Sequence, residues 1–204
     1  MKWQIKRMSQ CDNSIQIQVA TVFVDGFYQH LSLFGQNRLK LIQGLQHIFV
    51  PETCYLALYQ QTVVGMLCCS TNQTRCMKID RADMMQSFGR LRGLLIYLAL
   101  HREFNQPLLY DSQSVYIENV ATALDYRNQG VASTLLNYIF EQLPYQRYLL
   151  EVVDTNQKAY QLYQKLGYQE YQRIFEKFPE KMGFNSKIYM KKEKRQENFY
   201  VPTA

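Results

Sequence analysis

The sequence predicts an α/β fold of the α+β kind, a mixed sheet of about seven strands with an inserted helix between the third and fourth, and three observations carry this expectation. A β-branched and aromatic hairpin pattern at 54–71 follows two helical stripes. A strand, a glycine turn, a helix and a second strand fill 114–153. A capped helix and two more strand-like segments come after that.

Trp3 and Ile5 alternate with polar neighbours and predict a short first strand, after which Asp12, Asn13 and Ser14 offer helix caps. Ile15, Val19, Val22 and Phe23 fall at helical spacing. The Gly35 region interrupts it, and Leu41, Leu45, Ile48 and Phe49 resume it until Pro51. Segments 54–60 and 62–71 flank the polar Gln60-Gln61 pair as an antiparallel hairpin, with Gly65 marking a bulge or bend. Across 72–112 a basic stretch (Arg75, Lys78, Arg81) leads into Met84, Phe88, Leu91, Leu95 and Leu98 at helical spacing. One long inserted helix with its apolar face on the body is expected there.

Segment 114–123 reads as a strand, and Val131, Leu135, Leu136, Ile139, Phe140 and Leu143 form a helical stripe that Pro144 ends. Segment 148–153 is almost continuously apolar, as in a strand buried on both faces, so the strands around this helix are predicted to be parallel. Asp154, Thr155 and Asn156 then cap a helix carrying Ala159, Leu162, Tyr163 and Leu166 on one face, closed by Gly167. Strands at 168–175 and 187–191 follow, and 192–204 reads as a charged tail.

Length and composition, 47% hydrophobic and 20% charged, predict one globular domain over 1–204. The net charge of +6 suits a polyanionic ligand but does not choose one. Five cysteines, an odd number with Cys68 and Cys69 adjacent, do not look like a disulfide framework, and no basic-then-apolar segment opens the chain. The central apolar run at 94–100 is far short of the roughly 20 residues of a membrane span, so a cytoplasmic protein without a membrane partner is expected. His30, His47 and His101 show no ligand spacing with one another or with the cysteines, which predicts no metal site. The basic residues and sixteen tyrosines form no groove-reading helix or stacking motif, so nucleic acid is not an expected partner.

The turn Tyr126-Arg127-Asn128-Gln129-Gly130-Val131-Ala132-Ser133 enters a helix directly from a strand. The first amides of a helix lack intrahelical acceptors and the helix dipole adds positive charge, so this geometry binds a phosphate or pyrophosphate. Gly130 permits close backbone approach, Ala132 and Ser133 keep the turn small, and Arg127 adds a permanent cation.

Two motifs extend this reading: Val120-Ala121-Thr122-Ala123-Leu124-Asp125-Tyr126-Arg127-Asn128-Gln129-Gly130-Val131-Ala132, and Asn156-Gln157-Lys158-Ala159-Tyr160-Gln161-Leu162-Tyr163-Gln164-Lys165-Leu166-Gly167-Tyr168. In order and separation they resemble the acetyl-CoA signature and the following Asn-x-x-Ala-x-x-Leu-Tyr-x-Lys-x-Gly-aromatic segment of the GNAT superfamily of N-acetyltransferases. The resemblance runs over nearly the whole chain, although 72–112 is longer than the family's usual connection. It implies a mostly antiparallel central sheet with helices on both faces, and acetyl-CoA as co-substrate. Backbone groups of Val120 and Thr122, with Ala121 between them, would bond the pantetheine arm like an added strand, which requires two strands to splay apart. Amides from Gln129 through Ser133, with Arg127 and Asn128 beside them, would hold the pyrophosphate. Asn156, Ala159 and Tyr160 would contact the cofactor from the second motif. The ternary complex would react directly.

Acetyl transfer to an amine needs a neutral nucleophile, a polarised thioester carbonyl and a proton for the departing thiolate. The resemblance implies that Tyr163 protonates the CoA sulfur and that Glu118 is the general base, directly or through water. Glu151 and Asp154 compete for the latter role, Asp154 being more simply a helix cap. A non-catalytic acyl-CoA-binding module would keep Arg127 to Ser133 without needing Glu118 or Tyr163. The acceptor amine stays open among polyamines, aminoglycosides, amino acids and protein amines, and a homodimer is the general expectation for assembly.

Overall fold

The computed structural model describes residues 3–31 and 35–194, with strands β1 (Gln4–Arg7), β2 (Cys54–Tyr59), β3 (Thr62–Ser70), β4 (Ser114–Thr122), β5 (Arg147–Val153), β6 (Gln169–Phe175) and β7 (Ser186–Glu193). They form one sheet in the order β1-β2-β3-β4-β5-β7-β6. Neighbours are antiparallel except β4 and β5, which are parallel and connected through α5 (Val131–Gln142). A hairpin turn needs few residues, whereas a parallel neighbour needs a crossover, and α5 is that crossover.

Helices α1 (Ile15–Leu31), α2 (Arg38–Leu45), α3 (Arg81–Phe88) and α4 (Arg90–Asn105) pack on one face, in a core that includes Val19, Phe23, Leu41, Leu56, Met66, Met84 and Ile96. On the other face α5 and α6 (Gln157–Lys165) bury Leu67, Ile117, Leu135, Ile139, Leu150, Tyr163 and Ile188. Because both faces are covered, β2 and β3 read as unbroken apolar runs and not as alternation. A short turn, α7 (Pro179–Met182), lies between β6 and β7.

Three bulges shape the sheet, and the one on β6 leaves Tyr171 as the extra residue, since Glu170 faces Met190 but Gln172 faces Tyr189. Ala57 faces Gly65 but Leu58 faces Val63, which leaves Val64 as the extra residue beside Gly65. Cys68 faces Asn119 but Cys69 faces Ile117, so Glu118 is the extra residue on β4. The Glu118 bulge reverses the alternation of β4: Val115 and Ile117 enter the α5 core, whereas Ala121 enters the α1 core.

The expected single inserted helix is two. Asp80 caps α3 by accepting from the amides of Ala82 and Asp83, and Gly89, at φ +86°, breaks the chain before α4. A Cβ added at Gly93 would come within 2.2 Å of the Met84 carbonyl oxygen, so α4 crosses α3 there. The break changes the helical phase, and the inward residues of α4 are Gly93 and Ile96. Leu91, Leu95 and Leu98, expected to be inside, are 76%, 59% and 55% exposed.

Further boundaries differ. Ile48 and Phe49 lie beyond the end of α2, both buried, and Phe49 bridges Met77 instead of continuing the helix. The chain expected as tail from Lys192 is still strand up to Glu193, paired with Arg147, while 195–204 lie outside the described residues. Cys54 and Cys68, expected to be free, face each other across the β2–β3 register with Cα atoms 4.2 Å apart and are joined as a disulfide. Their sequence separation of 14 says nothing about this until the register is known. Among the described residues no helix is long and apolar enough to cross a membrane.

Candidate active site

The pairing of β4 with β5 is short. It runs from Ser114↔Arg147 through Ile117↔Leu150 and stops, although β4 continues to Thr122 and β5 to Val153. The Glu118 bulge lies where the strands part. Beyond it, β4 presents backbone N–H and C=O groups toward a gap and not toward β5, and such groups need partners. A linear amide-bearing chain laid along this edge supplies them.

At the far end of that edge the chain turns into α5. The Ala123 amide donates to the Val64 carbonyl, a 3-10 turn spans Leu124–Tyr126, and Asn128 and Gly130 both take left-handed backbone at φ +58° and +84°. The first hydrogen bond of the helix is Thr134 N–H to the Gly130 carbonyl, so the amides of Val131, Ala132 and Ser133 have no acceptor within α5. A Cβ at Gly130 would meet no atom within 4 Å, so the space before these amides is open. The first turn carries no acidic side chain to compete for an anion. Val131 itself is buried and offers only its amide, while Arg127 lies along the end of β4, its Nε 3.4 Å from the Thr122 carbonyl oxygen. Gln129 bonds the Asp125 carbonyl at 2.9 Å, which holds the turn shut on itself.

The helix α6 starts just past the open end of β5. Asn156 caps it by accepting from the Ala159 amide at 3.2 Å. Ala159 packs against the α5-side core, and the Tyr160 hydroxyl is engaged by Glu170 at 3.4 Å and Gln164 at 3.2 Å. Tyr163 is buried, and burial pushes its hydroxyl up to about 12, so it holds its proton at neutral pH. Asp154 is not the cap: its carboxylate accepts from the Asn185 amide and ties down the approach to β7.

Glu118 is enclosed. Its Oε1 accepts from Arg75 Nε at 3.0 Å and from the Ser70 hydroxyl, and its Oε2 accepts from Arg75 Nη2 at 3.0 Å. Both side chains of the ion pair are under a tenth exposed. A carboxylate has about four acceptor positions, so Oε2 keeps one lone-pair site for anything further. Glu151 pairs with Lys187 Nζ at 3.0 Å and is about one-third exposed.

The sequence pattern of the acetyltransferase (GNAT) family matches residues 26–168, which include the parting strands, the Gly130 turn and Tyr163. The chain belongs to the GNAT acetyltransferase family. Solved structures with the same fold include the ribosomal-protein-S18-alanine N-acetyltransferase of Escherichia coli, at 15% identity and TM-score 0.56 with 97% of this chain and 99% of that one covered. A structure described as histone acetyltransferase HPA2 and related acetyltransferase, from Corynebacterium glutamicum, has 16% identity and TM-score 0.61 over 97% and 99% of the two chains. An N-acetyltransferase of Staphylococcus aureus Mu50 has 14% identity and TM-score 0.58 over 93% and 100%. A search of curated proteins found no match.

As a GNAT protein the chain is an acyltransferase, and its family uses acetyl-CoA. The GNAT motifs pointed to the loop and to α6, but not to Ser70 or Arg75. Arg75 belonged to a basic stretch with no visible partner, and it reaches Glu118 only because the chain turns back after β3 at Thr71–Thr74. Among the described residues no His, Cys, Asp and Glu cluster is arranged to hold a metal ion.

Proposed function

We propose that this GNAT chain transfers the acetyl group of acetyl-CoA directly to a primary amine of a small-molecule or peptide acceptor in a ternary complex. The observation that carries the reading is the parting of β4 and β5 next to a helix start whose amides face open space. Bound acetyl-CoA supplies the acyl thioester. The amides of Gln129 through Ser133, with Asn128 and Arg127, hold its pyrophosphate, and the free edge of β4 from Val120 through Thr122 bonds the pantetheine amides. A chain laid from the loop along β4 passes Thr122 first and Glu118 last. Its thioester end therefore arrives where the strands rejoin, between Glu118 and Glu151.

Asn156 orients the start of α6, with Ala159 and Tyr160 on the cofactor side. Glu118 accepts a proton from the acceptor ammonium at its remaining Oε2 position, directly or through water, and Arg75 and Ser70 fix where that oxygen points. The neutral nitrogen then forms the new C–N bond as the C–S bond breaks. Tyr163, protonated at neutral pH, delivers its proton to the sulfur; the second proton, shed by the nitrogen as it becomes an amide, passes through water to the Tyr163 oxygen, and Glu118 returns its own to solvent.

The test couples binding and turnover. At a hundredfold excess over Kd, acetyl-CoA should raise Tm by about 5–10 °C, and release of the CoA thiol should appear with at least one member of an amine panel. Absence of any thermal shift would sink the reading.

A further inference from the structure

Four tyrosines cluster on the sheet face that carries Glu151. In β4, Val115 and Ile117 point into the α5 core, so Tyr116 between them points the other way. In β5, Tyr148, Leu150 and Val152 take the α5 side, which sends Glu151 to the face of Tyr116. Tyr189 lies directly opposite Glu151 in the β5–β7 register. Tyr110, from the end of the insertion, stacks on Tyr116 with ring centroids 5.5 Å apart and 19° between planes. Tyr171 packs on Tyr189 at 6.4 Å.

The rings come from the insertion and three strands, and they gather on the face that carries one partly exposed carboxylate, at the first position of β5 past the point where the strands part. Aromatic faces attract a cation, and a carboxylate among them adds charge and direction. The chain already places an ammonium there: Lys187 Nζ is 3.0 Å from Glu151 Oε1. That pair is partly exposed, and such pairs contribute little stability, so an incoming ammonium can replace it at small cost.

We propose that the box of Tyr110, Tyr116, Tyr171 and Tyr189 around Glu151 is the acceptor site, and that it takes an aliphatic alkylammonium. This inference rests on the acetyltransferase reading, because the box earns its role by bordering the point where the thioester arrives. Glu151 and the ring faces bind the cation, and Lys187 is the internal occupant that the acceptor displaces. Glu118, across the parting strands, then receives the proton.

The experiment uses hexyltrimethylammonium, an alkyl cation that cannot be acetylated, titrated into the full chain with and without CoA, with tyrosine NMR shifts as the readout. Binding is expected. Glu151→Gln should weaken it roughly 3- to 30-fold, as should Tyr189→Ala, with the acetyl-CoA thermal shift kept. Lys187→Met should strengthen it severalfold, a sign that a merely structural role for the Lys187–Glu151 pair would not produce. No binding, or binding indifferent to Glu151→Gln, overturns the acceptor site while the acetyl-CoA shift stands. Loss of the acetyl-CoA shift in the unaltered chain overturns the function instead, and the cation titration still reports on the box.

Discussion

Tyr163 and Glu118 show two ways a polar side chain is kept inside. The tyrosine is held by packing, tilted against Tyr168 at 5.9 Å, and burial keeps its proton on. Tyr163→Phe should keep that packing and remove the donor. Turnover should fall about 10²- to 10⁴-fold with the acetyl-CoA thermal shift little changed, and an unaltered kcat on a true acceptor would remove Tyr163 from the chemistry. Glu118 is held by charge. Removing one partner of a buried pair leaves the other uncompensated, so Arg75→Met should cost about 3–5 kcal/mol of stability. The double change Arg75→Met with Glu118→Leu should recover much of it in urea melts, and a double change as unstable as the single would argue against the pair. Neither the Arg75 partnership nor the Cys54–Cys68 bond was legible in the sequence, because the first joins a loop beyond β3 to β4 and the second depends on the one-residue shift that the bulge puts into the hairpin.

Elements were legible where their signals are local. The turn into α5, the Asn156 cap and the hairpin each depend on residues within a few positions of one another, and each lies where its motif put it. The insertion misled because a stripe of leucines was counted straight through Gly89, and a left-handed residue resets the phase on which such counting depends. The Glu118 bulge hides in the same way, since one extra residue reverses the face of everything after it. The Gly130 turn gives a prediction at this scale. Gly130→Ala should lower stability, because φ is +84°, yet retain the thermal response to acetyl-CoA, since a methyl group there has open space. Gly130→Glu puts a carboxylate before the amides and should abolish that response. Equal responses in the two variants would remove the turn from the anion site.

Over the whole molecule, sixteen tyrosines make alkaline pH the revealing variable. Burial raises Tyr163, Tyr110 and Tyr189 to about 12, and raises Tyr116, Tyr148 and Tyr168 further, from an ordinary value of 10.0. The unfolded chain therefore releases these protons before the folded one does. Stability is fully present below pH 10 and declines as pH rises through 12. Urea midpoints measured at pH 8, 9, 10 and 11 should be flat at first and then fall, and a midpoint level through pH 11 would mean that the tyrosines titrate as though exposed. The parallel β4–β5 pair and the covered faces follow from the apolar runs, whereas the strand order, and with it the contents of the proposed acceptor side, is set by pairings between segments far apart in the chain.

The neck of the insertion is closed. Asn105 bonds both the amide and the carbonyl of Ile79, and Arg75 reaches from Glu118 to the Gln106 carbonyl, so the two stems of the excursion are clasped at its base. Residues 80–104 thus leave and rejoin the body at one clasped point, while Met84 and Ile96 anchor them to the core and Arg75 holds Glu118 in place. Because Tyr110 leaves that same neck for the tyrosine cluster, a change in the insertion would reach the proposed acceptor side before it reached the Gly130 turn.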